Sequence, residues 1–103
     1  MIRFNDILEK VHPYLTTEDI AEVTKAYAYS AKVHGGQKRY SGEPYLIHPM
    51  EVTSILADIR LDKESIITGL LHDTIEDTLA TKDDITRIFG EEVCALVDGV
   101  TKI

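Results

Sequence analysis

Apolar residues recur every three or four positions along most of this chain, the spacing that lines one face of a helix. From about Asp6 to Val11, the positions Ile7, Leu8 and Val11 predict a first helix, with Asn5 as its N-cap and Pro13 as its stop. Thr16 and Asp19 have the spacing of a capping box, with aspartate where glutamate is more usual. They open a longer helix whose inward face reads Ile20, Val23, Tyr27, Ala31 and His34, and which Gly35-Gly36 ends. From Gln37 to Pro49, Ser41-Gly42 and Glu43-Pro44 mark a loop. Pro49 suits the first turn of the next helix and leaves His48 at its mouth. That helix runs to about Arg60, with Val52, Ile55, Leu56 and Ile59 inward. Asp62 caps a central helix, with Ser65 three residues on. Thr81 caps another, with Ile85, Ile88 and Phe89 inward and Gly90 as its stop, and a last helix uses Val93, Leu96, Val97 and Val100. Tyr45-Leu46-Ile47 is too short to count as a strand, so the expected fold is all-α, an irregular helical bundle.

The central helix enters the core on Ile66, Ile67, Leu70 and Leu71 and carries His72 and Asp73 to the core's edge. Read as continuous through Thr78, it stacks His72 over Glu76 and Asp73 over Asp77. Charged groups beside an apolar run are costly to bury unless something pairs them. A divalent cation satisfies such a cluster, and mixed nitrogen and oxygen donors suit Mn, Fe or Zn better than Ca. The plainer alternative is an ordinary helix end, with a solvated Asp-Glu-Asp group and a satisfied histidine. The loop offers a second candidate, for Lys38 and Arg39 lie side by side next to turn residues. They form either a solvated connector or a clamp for an anion or nucleotide.

Composition narrows the classes. At 103 residues the chain suits one modest domain with one core. Its 44% hydrophobic and 28% charged content fit a soluble globular protein, and no apolar run approaches the roughly 20 residues of a membrane span. The N-terminus lacks a signal-peptide layout, and the single cysteine, Cys94, rules out an intrachain disulfide; a cytoplasmic location is expected. A net charge of −7 argues against a nucleic-acid polymer as partner, while a small anion remains open to a metal and a few local cations. His12 and His34 read as structural, and Cys94 as a small core residue. Nothing punctuates the end at Gly99-Val100-Thr101-Lys102-Ile103, so a fragment of something longer is expected.

Three segments carry a resemblance. They are Gly36-Gln37-x-Arg39-x-Ser41-Gly42-Glu43-Pro44-Tyr45-x-x-His48-Pro49, then Leu70-Leu71-His72-Asp73-x-x-Glu76-Asp77-Thr78, and Phe89-Gly90 through Gly99-Val100-Thr101-Lys102. In this order and at these intervals they resemble the hydrolase domain of the RelA/SpoT family, from about Thr17 to Ile103. The resemblance implies a metal-dependent phosphohydrolase of the His-Asp (HD) class. In the stringent response such a domain uses Mn²⁺, or another divalent cation, to hydrolyse guanosine 3′,5′-bis(diphosphate), (p)ppGpp, to GDP or GTP and pyrophosphate. It implies His48, His72 and Asp73 as metal ligands and Glu76 and Asp77 as the catalytic acidic pair that orients or deprotonates water. Arg39 and Ser41 match the nucleotide-binding loop, the Arg packing on guanine; Lys38 adds counter-charge and Tyr45 a pocket wall. Members that keep only the synthetase typically lose the His-Asp and Glu-Asp positions, and here both survive.

One departure from the family pattern stands out. The fourth metal ligand is an aspartate near a later Asp-Arg-x-His-Asn-Met segment, which this sequence lacks, as it lacks a synthetase domain. The expectation is a single HD-type domain over residues 1–103, incomplete at its C-terminal end, with three of four protein ligands and part of the pocket. Exposed apolar faces on the last two helices would then favour homo-oligomers. Two other functions stay open: a non-catalytic nucleotide-binding or regulatory module, and an HD phosphohydrolase acting on another nucleotide.

Overall fold

The computed structural model describes residues 2–35 and 46–101, and the regular structure among them is helical. The order is α1 (Phe4–Val11), α2 (Thr17–His34), α3 (Ile47–Asp58), α4 (Lys63–Leu71), α5 (Thr74–Asp77), α6 (Lys82–Phe89) and α7 (Glu91–Thr101). The all-α expectation holds.

Most helix ends are set where the caps predict. The Thr16 hydroxyl accepts from Asp19 N at 3.1 Å while Thr16 N donates to Asp19 Oδ2 at 3.3 Å, and Thr81 and Asp84 repeat the exchange at 3.2 and 3.1 Å. Such reciprocal bonds satisfy donors that a helix start leaves open. Asp62 accepts from Ser65 N at 3.0 Å to open α4. Gly35 and Gly90 end α2 and α6 at φ of 55° and 101°, conformations that a side chain would strain. The start of α1 is a correction. Arg3, not Asn5, stands at its N-cap, because Arg3 N finds the Asp6 carboxylate at 2.8 Å.

The core is built around α4, which packs against α2, α3 and α7 and is buried at six successive positions, Ile66 through Leu71. Ile7 and Val11 of α1, Val23 and Ala26 of α2, Ile85 of α6 and Val93 and Val97 of α7 close over it. Lys10 fastens α1 to α3 by reaching Ser54 Oγ at 2.7 Å and Asp58 Oδ1 at 2.8 Å.

Two faces differ from expectation. On α3 the buried residues are Pro49, Met50, Thr53, Ser54 and Ala57, while Ile55 and Ile59 are each 62% exposed. That helix is apolar nearly all round, so periodicity alone does not fix its inner face. The narrow contact with α4 admits the smaller Thr53 and Ala57 rather than the isoleucines. On α7, Val93 and Val97 face inward while Leu96 and Val100 stay partly exposed, at 39% and 46%. Of the last two helices, α7 exposes apolar side chains as expected, whereas Ile88 and Phe89 of α6 are half-buried; Ile55 of α3, Ile59 just after it and Leu79 before α6 are exposed as well.

Candidate metal centre

The stretch expected to continue as one helix breaks after Leu71. His72 and Asp73 form a turn, and α5 starts afresh at Thr74. The cause is local competition for backbone groups. The Thr74 hydroxyl donates to Leu71 O at 2.8 Å, a carbonyl that a continuing helix would pair with a backbone N–H. At the close of α5, Thr74 O accepts from both the Thr78 hydroxyl at 2.6 Å and the Thr78 N–H at 3.1 Å. Stacking of His72 over Glu76 and Asp73 over Asp77 on a single helix does not occur, although Asp77 N still donates to Asp73 O at 3.0 Å.

The break aims His72 and Asp73 at the start of α3. His48, in the first turn of α3, places its Nε2 3.3 Å from His72 Nε2 and 3.8 Å from Asp73 Oδ2. His72 Nε2 lies 3.3 Å from Asp73 Oδ1, and the two imidazoles meet edge to face at 62°. His72 Nδ1 is 2.7 Å from Gly69 O. A carbonyl only accepts, so Nδ1 carries the hydrogen, and the neutral ring presents the Nε2 lone pair to the cluster.

Donors bound about 2.0–2.2 Å from one ion stand roughly 2.8–3.6 Å apart in octahedral or tetrahedral arrangements. The closest approaches, 3.3, 3.3 and 3.8 Å, lie in or near that range, with Asp73 meeting His72 through Oδ1 and His48 through Oδ2. The donor set therefore fits a divalent cation. The site is half open, with His72 nearly covered and His48 the more exposed ring, which leaves room for water and substrate.

His48, His72 and Asp73 are the candidate residues brought into this cluster. Glu76 is exposed on α5 and Asp77 half-buried at its end, outside the group of three. Lys38, Arg39, Ser41 and Tyr45 lie outside the described residues. His34 is buried at the end of α2 and His12 is exposed, both away from the cluster. Cys94 is half-buried, with Sγ 3.5 Å from Lys82 O. Gly69 went unread in the sequence, although a glycine inside an apolar helical run was a signal for it.

A family model described as HD domain matches residues 26–103. A GTP pyrophosphokinase of Myxococcus xanthus is 58% identical over 104 residues, covering 97% of this chain and 14% of the relative. The bifunctional (p)ppGpp synthase/hydrolase SpoT of Escherichia coli K12 is 43% identical over 103 residues, covering 100% of this chain and 15% of the relative. Among solved structures, a metazoan orthologue of SpoT reported to hydrolyse ppGpp matches with a TM-score of 0.74 at 33% identity, over 85% of this chain and 49% of that one. The fold is that of an HD domain and the chain belongs to that family, with a His-His-Asp cluster among its described residues. Within it the chain stands with the RelA/SpoT enzymes, of which it spans 14–15% of the length of the two compared.

Proposed function

We propose that this chain carries part of the active site of a (p)ppGpp 3′-pyrophosphohydrolase, in a single HD-type domain. The observation that supports this reading best is the convergence of His48, His72 and Asp73, with separations of 3.3 to 3.8 Å, in a chain related to SpoT.

In this reading the three residues hold Mn²⁺ or another divalent cation. Such an ion lowers the pKa of coordinated water and polarises a phosphoryl oxygen. Gly69 O holds the His72 ring so that its Nε2 faces the cluster. Glu76 and Asp77 orient the attacking water and take up its proton. Water adds to the phosphorus bonded to the 3′-oxygen, the bond between them breaks, and GDP or GTP leaves with pyrophosphate as the second product. Lys38 and Arg39 supply counter-charge where negative charge develops, and Ser41 and Tyr45 complete the nucleotide contact. The setting is cytoplasmic, in the stringent response, with no membrane partner; no helix among the described residues is long and apolar enough to cross a membrane.

Pyrophosphate released from ppGpp in Mn²⁺ tests the assignment. His72→Ala and Asp73→Ala should each lower release by at least about 100-fold, above the 10–100-fold effect of losing a residue that merely supports a ligand. Release unchanged in both variants would refute it.

A further inference from the structure

Resting on the reading of the cluster as an ion site, we propose that Gly69 is its positioning residue. Its bare Cα lets α3 and α4 close on each other at Thr53, and that contact sets the separation of His48 and His72.

A methyl built on Gly69 would lie 2.7 Å from Thr53 Oγ1 and 2.9 Å from Leu56 Cδ1. The two obstacles differ in kind. Leu56 Cδ1 is the tip of a half-buried chain and can swing aside. Thr53 is fully buried, its Oγ1 has no hydrogen-bond partner, and a β-branched side chain is stiff about χ1. Its oxygen is accommodated because only the Cα of a glycine faces it, a weak contact recurrent where helices approach closely.

The pairs 53/69 and 48/72 run in opposite directions along α3 and α4, so the helices are antiparallel and share one seam. At about 1.5 Å rise per residue, the crossing lies roughly 4.5 Å from His72 along α4 and about 7.5 Å from His48 along α3. Relieving a 2.7 Å approach to ordinary contact at 3.4 Å needs a displacement of 0.7 Å (3.4 − 2.7). A wedge that close to the site transmits most of that opening to the two rings. Metal–ligand distances tolerate only about 0.2 Å. The same residue also fixes His72 rotationally, since its carbonyl accepts the Nδ1 hydrogen at 2.7 Å. Gly69 thus acts twice, through the side chain it lacks and the oxygen it presents, without touching ion or substrate.

The experiment compares Mn²⁺ affinity, by calorimetry, with the unfolding midpoint in five proteins: wild type, Gly69→Ala, Thr53→Ala, the double variant, and Ile85→Ala. The last empties core space on α6 and reports what destabilisation alone does. Gly69→Ala should weaken Mn²⁺ binding by at least about tenfold, the lower bound for losing support to a ligand. Removing the Thr53 oxygen should restore most of that affinity in the double variant, and Ile85→Ala should lower the midpoint while binding Mn²⁺ normally. Wild-type affinity in Gly69→Ala, or no recovery in a folded double variant, overturns the proposal. If Gly69→Ala does not fold, Thr53→Val wedges the same seam more gently and should give a smaller loss; unchanged binding then overturns it. A metal-free readout separates this proposal from the ion reading. The rings of His48 and His72, with centroids 5.3 Å apart, should give a nuclear Overhauser contact of equal strength in wild type and the double variant, and one weakened about twofold or more in Gly69→Ala. Should wild type take up no Mn²⁺, the ion reading falls, and the ring contact by itself decides whether Gly69 positions the pair.

Discussion

Single side chains in this molecule act mainly by occupying backbone groups that helices leave open. Asp62 is the clearest case. Hydrogen bonds from Ser65, side chain and then backbone, hold its carboxyl below the ordinary value of 3.8. A depressed carboxyl contributes stability that is present above its unfolded pKa and is lost as pH falls through the lowered, folded value. Asp62→Ala should therefore cost about 1 kcal/mol at neutral pH, as loss of an N-cap does. The gap between variant and wild-type urea midpoints should close as the pH drops below the ordinary carboxylate range. This residue was legible, because an Asp three positions before a Ser at the start of an apolar run has one obvious use. His72 and Asp73 were legible as a chemical pair. Gly69 was not, because what matters about it is the residue facing it from another helix, and one sequence does not show that register.

At the scale of elements, the useful event is an interruption. The run through Leu71 has the composition to continue as helix, and the Thr74 hydroxyl stops it by taking the carbonyl of Leu71. Thr74 is fully buried, so replacing it with the isosteric Val strips a buried carbonyl of that donor. Thr74→Val should destabilise by about 1–3 kcal/mol, measured as a shift in the urea midpoint at constant slope. Helix starts could be read along the chain because caps are local and depend on residues three apart. The inner face of α3 could not. Its apolar residues circle the helix, and the choice of Thr53 and Ala57 over Ile55 and Ile59 is made by the width of the gap at α4.

For the whole molecule, the all-α bundle followed from periodicity and stop signals, while the shape of its surface did not. Ile55 and Ile59 of α3 stand 62% exposed, and Leu96 and Val100 of α7 rim a groove with Leu56, Leu61 and Thr68. We propose that a second copy of the chain covers the groove at α7, as exposed apolar area favours association. Sedimentation coefficients should rise with concentration in the wild-type chain, and Leu96→Asp with Val100→Asp should hold it monomeric. A wild-type chain that stays monomeric at high concentration would remove this surface as a self-association site.

Because Ile66 through Leu71 of α4 are buried at six successive positions, their amides should be among the slowest in the molecule to exchange with solvent. His72 hangs from the end of that segment, whereas His48 sits on a helix start with its ring 39% in solvent. On the proposed reading, one jaw of the centre is anchored in the most enclosed helix and the other stands at the water's edge.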